Sequence, residues 1–454
     1  MSATPLATSN PPGPLQRGRA KPLSSKPLPF FNMAAKKNIV PMAAKKNIVL
    51  VGGGPANLAV ISQLHKAGLQ DKVNITLVSD CDYYESNFAA PRFLVTSADD
   101  NFVRYDRATV DFPTMFGNKG TVHNKSFNVT FVHGKASGID GEAVTHSGDG
   151  GAVPFDFLVL ATGVSYPTMR PVDSPNLEAR KAQVKAQADS YAEAAGIIVL
   201  GGGSVGVETI GELQEKYPDK KLYLISHTIL PNSSKWAQDS FKKNLEKRGV
   251  TILLDDHLVE SDGSTHKTKS GQTIQAEVVI KCFAEKPNSG FMLGGPYESA
   301  VDDKGFIKVD KTLKVVGSGG KAIYCMGDVA NLKHKTSVAQ EKQYKAMIAN
   351  IQSMLEGKEQ KAEYDGKPMA EGDLMVSAGM DSHGGIVCCE GFCALFCAGF
   401  CCCCCLGTGC GSKPESRKIA NMKGDFVELG GMFKDTPHHK IDIKDHPGYQ
   451  KMQK

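Results

Sequence analysis

The sequence predicts an α/β protein with two doubly wound parallel sheets, the second inserted into the first, and a small α+β segment at its C-terminal end. Three observations carry that expectation. Two glycine-rich turns, Gly52–Gly54 and Gly201–Gly206, each follow a β-branched apolar run and lead into a helix-compatible stretch. A run ending in Ala161-Thr162-Gly163 lies between them, and a run ending in Gly327-Asp328 follows both. At 454 residues the chain exceeds one typical domain, and its apolar content of 41% permits real cores.

Residues 1–46 hold eight Lys or Arg and no Asp or Glu. The remainder has 45 basic against 48 acidic residues, a net charge near −3, so its composition gives no argument for nucleic-acid binding. The acid-free leader fits an organelle transit peptide, while Pro11, Pro12, Pro14, Pro22, Pro27 and Pro29 disfavour an amphipathic helix and leave a disordered tail as the alternative. The expected address is the cytoplasm, with or without membrane association, and a mitochondrion or other organelle is the alternative. Met33–Val40 recurs as Met42–Val49, and only the second copy runs into a glycine turn.

The first half reads as a strand over 47–51, a helix over 55–67 and a strand over 73–79. Gly52, Gly53, Gly54, Pro55 and Ala56 form the candidate phosphate loop: glycine makes the turn, bare backbone approaches a pyrophosphate, and a helix N-terminus faces the anion. The third glycine of such loops is replaced by Asn57, which is expected to weaken the motif or push the helix outward. An acid near the end of the second strand would accept hydrogen bonds from a ribose. Ser79 stands there, and Asp80 just beyond is the candidate. A strand over 155–160 then leads to Ala161, Thr162 and Gly163, a common close to the first half of a flavin domain.

The second loop has the full GxGxxG spacing in Gly201, Gly203 and Gly206, with a strand over 197–200 and a helix from near Val205. The strand over 221–225 ends at Ser226-His227, with no acid for a free ribose hydroxyl and no Arg for a 2′-phosphate, so NADH and NADPH both stay open. A strand over 278–281 precedes Cys282 and Phe283. Pro287-Asn288-Ser289 matches the exit from a nicotinamide domain but lacks the preceding glycine. A strand then ends in Gly327-Asp328, where the carboxylate can face a flavin's ribityl chain and the following helix N-terminus its pyrophosphate. A helix over 337–355 is expected to bury Val338, Met347, Ile351 and Leu355.

Of thirteen cysteines, Cys81, Cys282 and Cys325 read as small core residues. The other ten crowd into 388–410, where a low-complexity expansion, a palmitoylated membrane contact, a membrane span and a metal site compete, and no metal site is assigned. No close cysteine pair follows the first loop or lies in the second nucleotide region, which excludes dithiol reductase chemistry.

With these motifs in place, the chain resembles the FAD-dependent, two-dinucleotide-binding pyridine nucleotide-disulfide oxidoreductase superfamily. Within it, Asn87–Arg92, Gly203–Glu208 and Ser377–Gly385 resemble the apoptosis-inducing-factor-like and ferroptosis-suppressor-like group. The resemblance implies Rossmann-like domains: FAD-binding over 47–168 and 300–358, NAD(P)H-binding over 195–290, and a C-terminal segment over 364–454. It implies FAD contacts at Arg92, Ala136 and Asp328, a nicotinamide-side role for Glu208, and a late Lys for which Lys413 and Lys418 are the candidates. The implied activity is hydride transfer from NADH or NADPH to FAD, with electrons leaving to a small-molecule acceptor such as a quinone, with or without peripheral membrane contact. A redox-controlled signalling flavoprotein and a type II NADH dehydrogenase are the alternatives.

Overall fold

The computed structural model describes residues 44–387, apart from 70, 97–102, 117–120, 123–124, 127–128, 149, 171–173, 232, 234, 336, 367–373 and 378–383. The leader up to residue 43, the Cys-rich tract 388–410, Lys413 and Lys418 lie outside the described residues.

The first sheet begins with β1 (Lys46–Val51), whose Ile-Val-Leu-Val run is buried on both faces, as a central parallel strand requires. Helix α1 (Pro55–Lys66) starts with proline at its first turn, where a missing N–H costs nothing. Next come β2 (Val73–Ser79), α2 (Ala90–Thr96), β3 (Val129–His133) and β4 (Phe157–Leu160). Helix α3 (Leu177–Glu193) then leads into the second sheet, and Asn176 caps it by accepting from the Ala179 N–H at 2.9 Å.

The second sheet comprises β5 (Gly196–Gly202), β6 (Lys221–Ile229), β7 (Thr251–Leu254) and β8 (Val278–Lys281), with α4 (Ser204–Lys216) and α5 (Lys235–Lys247) between them. Its order is β7-β6-β5-β8, parallel throughout. The chain then returns to the first sheet as β9 (Ile323–Cys325), followed by α6 (Ser337–Leu355). The first sheet's order is β9-β4-β1-β2-β3, also parallel. Its strands therefore come from both sides of the second sheet in sequence, which is the insertion expected. Strand β6 runs to Ile229, past the expected 225, because Ile229 pairs with Gly202 after a register shift.

The first sheet's two faces build separate apolar cores, one around Leu50, Leu77, Val159 and Tyr324, the other around Val49, Val78, Leu158 and Cys325. A third core surrounds Val199 and Leu224 of the second sheet and Val207 of α4, and takes in Phe93 and Leu94 from α2. Helix α2 packs on α3 and α4, so an early helix helps close the inserted domain. In α6, Met347 and Ile351 are buried as expected, whereas Leu355 is only partly buried near the helix end. Beyond α6 the described part of the C-terminal segment is an antiparallel pair, Leu374–Ser377 with Gly384–Val387, the first strand lying against α4.

Candidate nucleotide sites

The first glycine turn sits where three parallel strands end together. Gly52 has φ +107°, and a side chain there would strike the Ala161 carbonyl at 2.4 Å. Ala161 N–H donates to Val51 at 2.9 Å, and Met326 N–H donates to Leu160 at 3.0 Å. These contacts draw Gly52–Gly54, Ala161–Gly163 and Gly327–Asp328 to one edge of the sheet. At Gly53 a side chain would meet Ser79 Oγ at 2.7 Å and the Phe112 ring at 2.6 Å. Ser79 is buried at the end of β2, and Asp80 stands exposed one residue later.

Gly54 differs from its neighbours. Nothing lies within 4 Å of where its Cβ would be, and as N-cap of α1 it offers no side-chain hydrogen bond. The N-terminus of α1 thus lacks a side-chain cap and is open on the Gly54 side, an arrangement suited to a pyrophosphate. Asn57, by contrast, is fully buried. Its Nδ2 donates to the carbonyls of Val51 and Gly52, each at 2.9 Å. The amide thus ties α1 to the end of β1.

Asp328 is partly buried, and no hydrogen bond reaches its carboxylate from the described residues. Burial holds its pKa above the ordinary carboxylate range, with Lys335 opposing the shift. Lys335 Nζ donates to the Asp328 carbonyl at 2.9 Å and stands 3.5 Å over the Phe306 ring. Gly327 N–H is held by Gln343 Oε1 of α6 at 2.9 Å. Lys335 and Gln343, absent from the sequence reading, fix the turn that presents Asp328. Arg92 is buried on α2, and Ala136 opens the short strand Ala136–Ile139.

The second site repeats the pattern. Gly201 has φ +104°, Gly203 caps α4 without a side-chain bond, and its Cβ direction is open. Gly206 is held to glycine by contact: a Cβ there would lie 1.8 Å from the Gly201 carbonyl. Glu208 is buried on α4 one residue further than Val207. At β6, His227 Nδ1 lies 2.9 Å from Asp255 Oδ1, and both line an open cleft of about 470 Å³ with Lys235 and Lys242 of α5.

The two sites are joined by paired crossings. Thr162 Oγ1 donates to the Asn288 carbonyl at 2.7 Å, Asn288 Nδ2 donates to the Thr162 carbonyl at 2.9 Å, and Val164 bridges Pro287. A second tie is buried: Arg180 Nε and Nη2 reach the Glu85 carboxylate at 2.8 and 3.2 Å, and Tyr105 donates to it at 3.1 Å. No cysteine among the described residues is disulfide-bonded. Cys81, Cys282 and Cys325 are buried, and burial raises every one of these thiols, Cys282 to about 12, so they stay protonated and poorly nucleophilic. They bear out the core role expected of them. No group of three or more metal-ligating side chains occurs among the described residues.

The comparisons agree with this geometry. Ferroptosis suppressor protein 1 of Mus musculus is 30% identical over 305 residues, covering 63% of this chain and 74% of that protein. An FAD-dependent oxidoreductase of Flammulina velutipes is 26% identical over 274 residues, covering 58% and 81%. The fold matches the sulfide:quinone oxidoreductase of Aquifex aeolicus with a TM-score of 0.63 at 15% identity, covering 90% of this chain and 94% of that one. The open helix ends and the Asp328 carboxylate, which accepts no hydrogen bond among the described residues, fit FAD and a pyridine nucleotide, the cofactors of such enzymes. Residues 46–348 match the family model for pyridine nucleotide-disulphide oxidoreductase, and the chain belongs to that family as an FAD-dependent oxidoreductase.

Proposed function

We propose that the protein oxidises NADH or NADPH and reduces a small-molecule acceptor of the quinone class. The observation that carries this is the pairing of two uncapped phosphate-type helix ends, α1 and α4, with a Thr162–Asn288 clasp between their sheets. Bound together, the two cofactors supply hydride transfer from dihydronicotinamide to flavin and storage of the electron pair. The chain supplies placement and electrostatics.

We assign FAD to residues 47–168 and 300–358. There the N–H groups of Gly54 and Ala56 hold its pyrophosphate and Asp328 accepts hydrogen bonds from its ribityl hydroxyls. Arg92 and the Ala136 backbone lie on the same side of the assignment, with Asp80 or Ser79 toward the ribose. The pyridine nucleotide belongs to 195–290, its pyrophosphate on the turn Gly201–Gly206 and its adenosine toward the His227 cleft. Glu208, buried two residues after Gly206, orients the nicotinamide. The raised thiols of Cys81, Cys282 and Cys325 leave no dithiol among the described residues to intercept electrons, which supports their departure to an external acceptor.

The quinone assignment draws support from one fold neighbour, the sulfide:quinone oxidoreductase of Aquifex aeolicus. Peripheral membrane contact belongs to the same proposal, since quinones partition into lipid; no helix among the described residues is long and apolar enough to cross a membrane. Mixing the purified yellow protein anaerobically with NADH, and separately NADPH, tests the reading. Bleaching of the flavin band by at least one nucleotide, reversed by a quinone, is the expected result. A flavin band that persists with both nucleotides overturns it.

A further inference from the structure

An exposed apolar side chain means little by itself. Of the four large apolar side chains left exposed among the described residues, Phe283 is the one aromatic, at 44%. Its position is what distinguishes it. Phe283 lies two residues past β8, and its Cδ1 is 3.4 Å from where a Cβ on Gly201 would be. The ring therefore stands beside the second glycine turn.

The frame around it is fixed at both ends. Cys282 N–H donates to Leu200 at 2.8 Å, and the Cys282 side chain is buried, which turns Phe283 outward. Downstream, Glu285 N–H donates to the Ser165 carbonyl at 2.9 Å, and Ser165 N–H donates to the Lys286 carbonyl at 2.8 Å. Asn288 N–H then donates to Gly163 at 3.0 Å. The segment carrying Phe283 thus runs from the second glycine turn to the Ala161–Gly163 turn of the first sheet.

Sheet order says which half of a dinucleotide the ring would meet. The chain leaves β5 toward β6 and β7 on one side and returns as β8 on the other, so the crevice opens between β5 and β8. Adenosine lies on the β6 side, and the nicotinamide end lies on the β8 side, where the flavin domain's turn is also tied. We infer that Phe283 is a positioning residue whose ring packs against the nicotinamide nucleoside of the bound pyridine nucleotide, holding it toward the first sheet. This rests on the pyridine-nucleotide assignment made above and names a residue that assignment did not use.

The test is equilibrium binding to the FAD-loaded protein, read by calorimetry, with two probes. Tetrahydro-NADH carries the whole dinucleotide but cannot donate hydride; ADP-ribose lacks the nicotinamide. Phe283→Ala should weaken tetrahydro-NADH about tenfold, the effect of one lost aromatic contact, and leave ADP-ribose within about twofold. Phe283→Tyr should bind both probes as the unsubstituted protein does. Unchanged or tighter tetrahydro-NADH binding in Phe283→Ala overturns the inference, as does an equal loss of ADP-ribose or an equal loss in Phe283→Tyr. Failure of the unsubstituted protein to bind either probe overturns instead the assignment of a pyridine nucleotide to this domain.

Discussion

The two glycine turns solve one packing problem in opposite ways. Each must bring a helix close over the end of its strand. At the second, Gly206 does so by having no side chain, since a Cβ would sit 1.8 Å from the Gly201 carbonyl. At the first, Asn57 does so by having the right one: a buried amide donates to Val51 and Gly52 carbonyls. Close approach and a buried cross-link are thus alternative ways of fixing a helix N-terminus against a strand. A motif departure can therefore be a replacement part. The open ends of the two turns, Gly54 and Gly203, are meanwhile alike. What varies is the support, and what stays constant is the open Cβ direction at the helix N-cap.

The sharpest way to break this contrast is Gly206→Ala. The methyl overlaps backbone, so α4 must move off β5. A loss above about 4 kcal/mol is expected in chemical denaturation, with pyridine-nucleotide binding abolished. Asn57→Ala should cost about 1–3 kcal/mol by taking the amide from the Gly52 carbonyl and leaving a void, and should speed FAD release. A wild-type denaturation curve for Asn57→Ala would show that the amide is dispensable.

Asp328→Asn separates binding from folding. The folded-state pKa of Asp328 lies above its ordinary 3.8, so its charged form is disfavoured by the fold. Its contribution is fully present below about the unfolded pKa and is lost as pH rises through the folded value. The apoprotein of Asp328→Asn should therefore melt higher than wild type at neutral pH, with the gap closing toward acid, while FAD affinity falls. Equal melting at all pH values would contradict the burial penalty. The smallest effects on folding are expected for Gly54→Ala and Gly203→Ala. Both positions have ordinary φ, −79° and −70°, and open surroundings. Each melting temperature should stay within about 2 °C of wild type, while each variant loses affinity for its own nucleotide alone.

Much of this was legible because it is local. Strands over 73–79 and 278–281 and the helix over 337–355 fall where apolar periodicity put them. Both loops, Ala161–Gly163 and Gly327–Asp328 were recognisable because glycine at a strand end has few other uses there. What escaped depends on where a side chain points. The sequence shows that Asn57 is not glycine, but not that its amide lies under the turn. The Glu85–Arg180 pair joins residues 95 apart, both fully buried, and no periodicity announces it. Lys335 and Phe283 sit in irregular segments whose paths are set by distant strands. The support of the two turns was hidden for that reason, while the turns themselves were readable.

The return of β9 to pair with β4 has a kinetic consequence. During synthesis the ribosome releases β1 to β4 first, yet their sheet lacks its edge and Asp328 until the whole inserted domain has emerged. The inserted sheet is contiguous in sequence and can complete itself earlier. Completion of the first sheet's edge is thereby a late event in maturation.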